Sequence, residues 1–190
     1  MRPEVPEHPT FVGLRWRASA PTIAAMSENV THAPAGRGPH HLMLGTVTVS
    51  RLLGAGDTGG RLSLVEMQGL PGSGPGPHLD PWTESFYILE GELTFRHEAD
   101  GAVRTQVAGP GDALTIPQGV GHAFSVSSER PARYLIASAP AGIDAFFADA
   151  GEPLEQPVLP DERPAFDRER LLAAFAKHDL EPYDFPASPG

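Results

Sequence analysis

Residues 72–91 read Gly72-Ser-Gly-Pro-Gly-Pro-His78-Leu-Asp80-Pro-Trp82-Thr-Glu84-Ser-Phe86-Tyr-Ile88-Leu-Glu-Gly91. The stretch opens with Gly and Pro in close succession, which sustains neither a helix nor a strand ladder. It then enters a run rich in aromatic and β-branched residues over 85–89, which predicts a strand closed by the Glu90-Gly91 turn. Side chains alternate along a strand, so His78, Asp80, Trp82, Glu84, Phe86 and Ile88 fall on one face. If the ladder has no bulge, polar ligand-type residues stand at one end of an apolar row. That layout suits a small-molecule site.

Outward from this segment the same texture continues. Residues 46–53, Thr-Val-Thr-Val-Ser-Arg-Leu-Leu, predict a strand that ends in the turn cluster Gly-Ala-Gly-Asp-Thr-Gly-Gly. Residues 61–68 alternate, with Leu62, Leu64 and Glu66 on one face and Ser63, Val65 and Met67 on the other. Further strands are expected over 92–96, 103–108, 113–116, 122–127 and 133–138, with Asp100-Gly101 and the turn at 109–112 between them. So many short linked strands must close or sandwich to hide their edges, which predicts an all-β barrel.

The flanks differ in character. Pro3, Pro6, Pro9, Pro21, Pro34 and Pro39 interrupt residues 1–42, which read as an N-terminal arm without a sustained period. Met26 offers a second start, and a disordered extension competes for the first 25 residues. The barrel is assigned to 43–140 and a helical segment to 141–190. There Ile143, Phe146 and Phe147 form an apolar helix face stopped by Gly151. Asp167 can N-cap a second helix carrying Leu171, Leu172 and Phe175 up to Leu180. Both helices are expected on the outside of the barrel, with their aromatic residues serving as core contacts.

A second block completes the pattern: Gly111, five residues, Pro117, one residue, Gly119, two residues, His122. With Gly72, five residues, His78, one residue, Asp80, three residues, Glu84, six residues, Gly91, it resembles the paired motifs of the cupin superfamily. The resemblance spans about residues 44–139 and implies a double-stranded β-helix, or jelly-roll barrel, whose motif residues bind a divalent metal. It assigns His78, Asp80, Glu84 and His122 as ligands, although Asp80 stands where the family has its second histidine. Val126 stands where the second motif often has Asn. The competing reading is a cupin that lost its metal through Asp80.

Strand parity supports the cluster independently, and it also places Phe124 and Val126 beside His122. A buried pair of histidines with two carboxylates is costly unless a cation balances it. One divalent ion with two neutral imidazoles and two carboxylates is formally neutral. Donors of N and O without thiolate favour Fe or Mn, with Ni, Co or Zn as alternatives. Trp82, Phe86 and Phe124 are the candidate pocket wall, and Glu84 is the candidate catalytic base. Each residue has a plainer explanation too: a loop histidine at His78, a turn residue at Asp80, an edge charge at Glu84, a core histidine at His122. Glu66 is a weaker candidate for the pocket. Adjacent His40 and His41 point apart, and His8, His32, His97 and His178 lack partners at ligand spacing.

Composition limits the rest. The chain has 190 residues, with 40% hydrophobic and 20% charged positions, enough for one domain with an ordinary core. Gly and Pro, 21 each, recur between short apolar runs and so favour turns. A net charge of -10, from 14 basic and 24 acidic residues, offers no basic stripe for nucleic acid. There is no cysteine, and no apolar run marks a signal peptide or membrane span, so the expected location is cytoplasmic. A homodimer is the expected assembly.

The short Phe-Phe helix, Pro-rich stretch and final helix make the chain resemble single-domain cupins related to quercetin 2,3-dioxygenase. That resemblance implies an oxygenase using O₂ on a small aromatic or enolic substrate. The alternatives are a non-oxidative isomerase, cyclase or decarboxylase, and a metal-free small-ligand-binding protein.

Overall fold

The computed structural model describes residues 30–36 and 38–186. Most of the expected N-terminal arm, including Met26 and His8, lies outside the described residues, and so do residues 187–190. The stretch read as an arm nevertheless ends in structure: His40–Met43 is strand β1.

In chain order there follow β2 (Val47–Leu53), α1 (Ala55–Thr58), β3 (Ser63–Gly69), β4 (His78–Leu79), β5 (Thr83–Glu90), β6 (Leu93–Ala99) and β7 (Ala102–Ala108). The chain then forms β8 (Ala113–Ile116), β9 (His122–Val126), β10 (Ala132–Ala139), α2 (Ile143–Ala150), β11 (Glu152–Leu154), α3 (Arg168–Lys177) and β12 (Glu181–Pro182). Two antiparallel sheets result, ordered β11-β1-β2-β3-β10-β5-β8 and β12-β4-β9-β6-β7. This is the jelly-roll barrel, closed by two facing sheets with the core between them.

Period-2 patterning accounts for the strands. Along β3, Ser63, Val65, Met67 and Gly69 are buried, while Leu64, Glu66 and Gln68 are only partly so. Along β5, Glu84, Phe86 and Ile88 are buried and Ser85 and Tyr87 exposed. Between the sheets Phe86 packs edge-on to Phe95 and Phe124, with ring centroids 5.0 and 5.1 Å away. The turn at Gly91 needs glycine twice over. Its φ is +75°, and a Cβ there would come within 2.8 Å of Ala132 and Ser128.

Three features depart from the sequence expectations. The Gly-rich cluster after β2 contains the helical turn α1, where Asp57 Oδ2 accepts the Gly54 amide at 2.8 Å. The segment read as helical also supplies strands, β11 pairing with β1 and β12 with β4. Glu66 does not enter the barrel. It accepts two hydrogen bonds from Arg133 at 2.9 Å, because its parity is opposite to that of Val65 and Met67.

The two long helices form as their sequences indicate. Ile143, Phe146, Phe147 and Ala150 are buried along α2 at helical spacing. Asp167 caps α3, accepting the Arg170 amide at 3.0 Å. Phe146 and Phe175 join the helices edge to face, with centroids 5.6 Å apart. Among the described residues no helix is long and apolar enough to cross a membrane.

Candidate metal centre

His78 on β4 lies directly opposite His122 on β9, and their ring centroids are 4.3 Å apart. Asp80 follows two residues after His78, where its carbonyl accepts the Gly119 amide at 3.0 Å and so ties the two motif loops together. Glu84 reaches the same point from β5 in the facing sheet. All four side chains are buried.

Hydrogen bonding defines what the two imidazoles can do. His78 Nδ1 is 2.9 Å from the Gly76 carbonyl, and His122 Nδ1 is 2.9 Å from the Val120 carbonyl. A carbonyl only accepts, so each Nδ1 carries the proton and donates it. In the neutral rings Nε2 is then a free lone pair, the usual preparation for metal ligation. Both Nε2 atoms face Asp80 Oδ2, at 3.5 Å from His78 and 3.3 Å from His122.

Asp80 Oδ2 and His122 Nε2 are both buried without a hydrogen-bond partner. A lone pair facing a carboxylate oxygen is unfavourable, and each unsatisfied buried group costs about 1–3 kcal/mol. A divalent cation would satisfy both, and ligand atoms from His78, Asp80 and His122 lie within 4.8 Å of one another. The donor set therefore fits a metal. Burial pulls the His78 imidazole toward neutrality, but the Asp80 carboxylate 3.5 Å away and the charge of Glu84 outweigh it and raise its pKa.

Glu84 stands beside this trio rather than within it. Its Oε1 accepts the indole N–H of Trp82 at 3.2 Å, and its Oε2 is 3.8 Å from His122 Nε2. Burial, and then the charge of Asp80, hold the Glu84 carboxyl above the ordinary range. The four residues singled out in the sequence thus separate into three ligand-type groups and one carboxylate able to exchange a proton.

A cavity of about 120 Å³ reaches this centre through His78, Trp82 and Glu84. Its walls are otherwise mostly apolar and include Met67, Phe124 and Tyr134. Helices α2 and α3 contribute Phe146, Phe147 and Phe175, so they line the cavity as well as packing against the barrel. Trp82 is fixed by contact with α2: a Cβ on Gly142 would lie 2.9 Å from its ring. Phe86, expected on the wall, is not among the residues lining the cavity and packs instead in the aromatic core against Phe95.

Outside the centre, His40 Nδ1 meets Ser50 Oγ at 2.8 Å and His178 Nε2 meets Asp149 at 2.5 Å. Sequence reading missed Tyr134 and Ser138. Both face inward on β10, and each has a buried hydroxyl without a partner. Alternation within β10, where Ala132, Tyr134, Ile136 and Ser138 are buried, places both on the inner face, but neither belongs to a recognisable motif.

Residues 65–138 match the family model for the cupin domain. Those residues carry a cupin domain. A curated relative, quercetin 2,3-dioxygenase of Bacillus subtilis, is 27% identical over 170 residues, covering 85% of this chain. The chain spans about half, 49%, of that protein's length. Among solved structures, KdgF from a Halomonas species superposes with a TM-score of 0.52 at 15% identity, covering 60% of this cupin and 97% of that chain. The polyketide cyclase RemF from Streptomyces resistomycificus is 25% identical, with a TM-score of 0.45 and coverage of 73% and 90%. The KdgF likeness shows the shared fold.

Proposed function

We propose that this cupin is a metal-dependent oxygenase of small aromatic or enolic molecules, in which His78, Asp80 and His122 hold one divalent transition metal. The observation that carries this reading is the pair of Nδ1-anchored imidazoles aimed at a carboxylate oxygen with no other partner. Similarity to quercetin 2,3-dioxygenase supports it. The nitrogen and oxygen donors favour Fe or Mn ahead of Ni, Co or Zn. Bound there, the ion would supply Lewis-acid stabilisation of an enolate or phenolate oxygen.

The chain's own residues supply the rest. Glu84 Oε2 receives the substrate hydroxyl proton, and a carboxyl raised above its ordinary range is better matched to that task near neutral pH. Trp82 holds Oε1 and fixes the orientation of the carboxylate. Phe124, Phe146 and Phe175 seat an apolar ring and keep water out.

A non-oxidative reading draws on the position of Glu84 outside the ligand trio. A free buried base suits isomerisation, cyclisation or decarboxylation without O₂. Metal analysis of protein purified without added metal, followed by turnover with and without O₂, separates these readings. About one ion per chain is expected, and Asp80→Ala should weaken metal affinity at least about tenfold. Turnover that persists without O₂ selects the non-oxidative reading. Absence of metal from the unaltered protein, with indifference to chelators, would overturn both in favour of a small-ligand-binding module.

A further inference from the structure

Tyr134 is fully buried on β10, lines the same cavity as Glu84, and keeps its hydroxyl without a hydrogen-bond partner. Its ring is already fixed by the core, stacked on Phe86 and edge-on to Phe124, with centroids 6.4 and 6.0 Å away. Phenylalanine would make those contacts equally well, so packing does not account for the oxygen. Burial, and then the charge of Glu84, raise the phenol's pKa, so the group remains a protonated donor.

The cavity sets a second condition. It measures about 120 Å³, and an engineered apolar cavity of about 150 Å³ accommodates a single benzene ring. Its walls are apolar except near His78, Glu84, Trp82 and Tyr134.

We propose that Tyr134 is a substrate-binding residue that donates a hydrogen bond to an acceptor oxygen of the substrate, and that this substrate has the bulk of a single ring rather than of a multi-ring flavonol. The inference rests on reading this cavity as the substrate site, and it does not require the metal.

Binding of 4-fluorobenzaldehyde and 4-fluorotoluene, followed by fluorine NMR, tests it. The two probes have similar shape, and only the aldehyde carries an acceptor oxygen. The full-length protein should bind the aldehyde about tenfold more tightly, both as purified and after chelator treatment. Tyr134→Phe should bind both at the level of the fluorotoluene, with unchanged metal content and a melting temperature no lower than that of the parent. The preference in the unaltered protein is a separate readout should the variant fold poorly. Quercetin should bind more weakly than the aldehyde.

A preference that survives in Tyr134→Phe, that appears only with metal bound, or that is absent throughout would overturn the role of Tyr134. So would failure of both probes to bind. Tighter binding of quercetin would overturn the size limit. A protein purified without metal that still shows the Tyr134-dependent preference would remove the metal reading and leave this one standing.

Discussion

At Glu84 the Trp82 indole occupies one carboxylate oxygen at 3.2 Å, leaving the other toward His122 at 3.8 Å. An N–H donated to a carboxylate favours its ionised form. Trp82→Phe removes that donor while keeping an aromatic wall, so the Glu84 carboxyl should hold its proton to higher pH. The acidic limb of the pH–rate profile is expected to move upward by on the order of one unit, since a hydrogen bond to a charged group is worth about 1.5–3 kcal/mol. Metal content should be unchanged, because the indole N–H bonds to Glu84 and not to any of the three ligand-type residues. Parity put Trp82 and Glu84 on one face from sequence alone. The direction of the indole N–H was not legible, since it depends on how α2 begins against the ring at Gly142.

Helices α2 and α3 are joined at Asp149, whose carboxylate meets Lys177 at 2.7 Å and His178 at 2.5 Å. Hydrogen bonds from Lys177 and then His178 hold this carboxyl below the ordinary range. A folded pKa below the unfolded value means that the stabilisation is present above the unfolded pKa, near 3.8, and is lost as pH falls through the folded one. Thermal unfolding should therefore show the parent more stable than Asp149→Asn near pH 6, with the two curves converging as pH falls through the depressed folded pKa. Persistence of the difference at low pH would mean that charge is not what joins the helices. The existence and apolar faces of both helices were readable from the spacing of Ile143, Phe146 and Phe147 and of Leu171 and Phe175. Their place over the cavity was not, because it depends on contacts between distant elements, such as Phe146 against Phe175.

For the molecule as a whole, an ion bound by residues from different strands should stabilise the fold, because only the folded chain brings them together. At a free metal concentration near one hundred times Kd the gain is about 2.7 kcal/mol, which corresponds to a rise of roughly 5–10 °C in Tm. Calorimetry of chelated and reloaded protein checks this. Equal melting temperatures with and without the ion would argue against a site assembled by folding.

The same contrast marks what one-dimensional reading could reach. Alternation is a property of the local backbone, so the inward-facing residues at 78, 80, 82, 84, 86 and 88 could be picked out without any coordinates, although β4 and β5 belong to facing sheets and not to one strand. The spacing of the glycines, Pro117 and His122 was likewise sufficient to place the chain in its fold. Where the Asp80 carboxylate lies was decided only when β4 paired with β9, bringing His78 opposite His122 with one carboxylate oxygen near both Nε2 atoms. The separation of Glu84 from that trio, the retreat of Phe86 into the core, and the unpartnered hydroxyl of Tyr134 were settled in the same way. Each depends on distances between strands remote in sequence, and those distances are set by the packing of two sheets and two helices around one core.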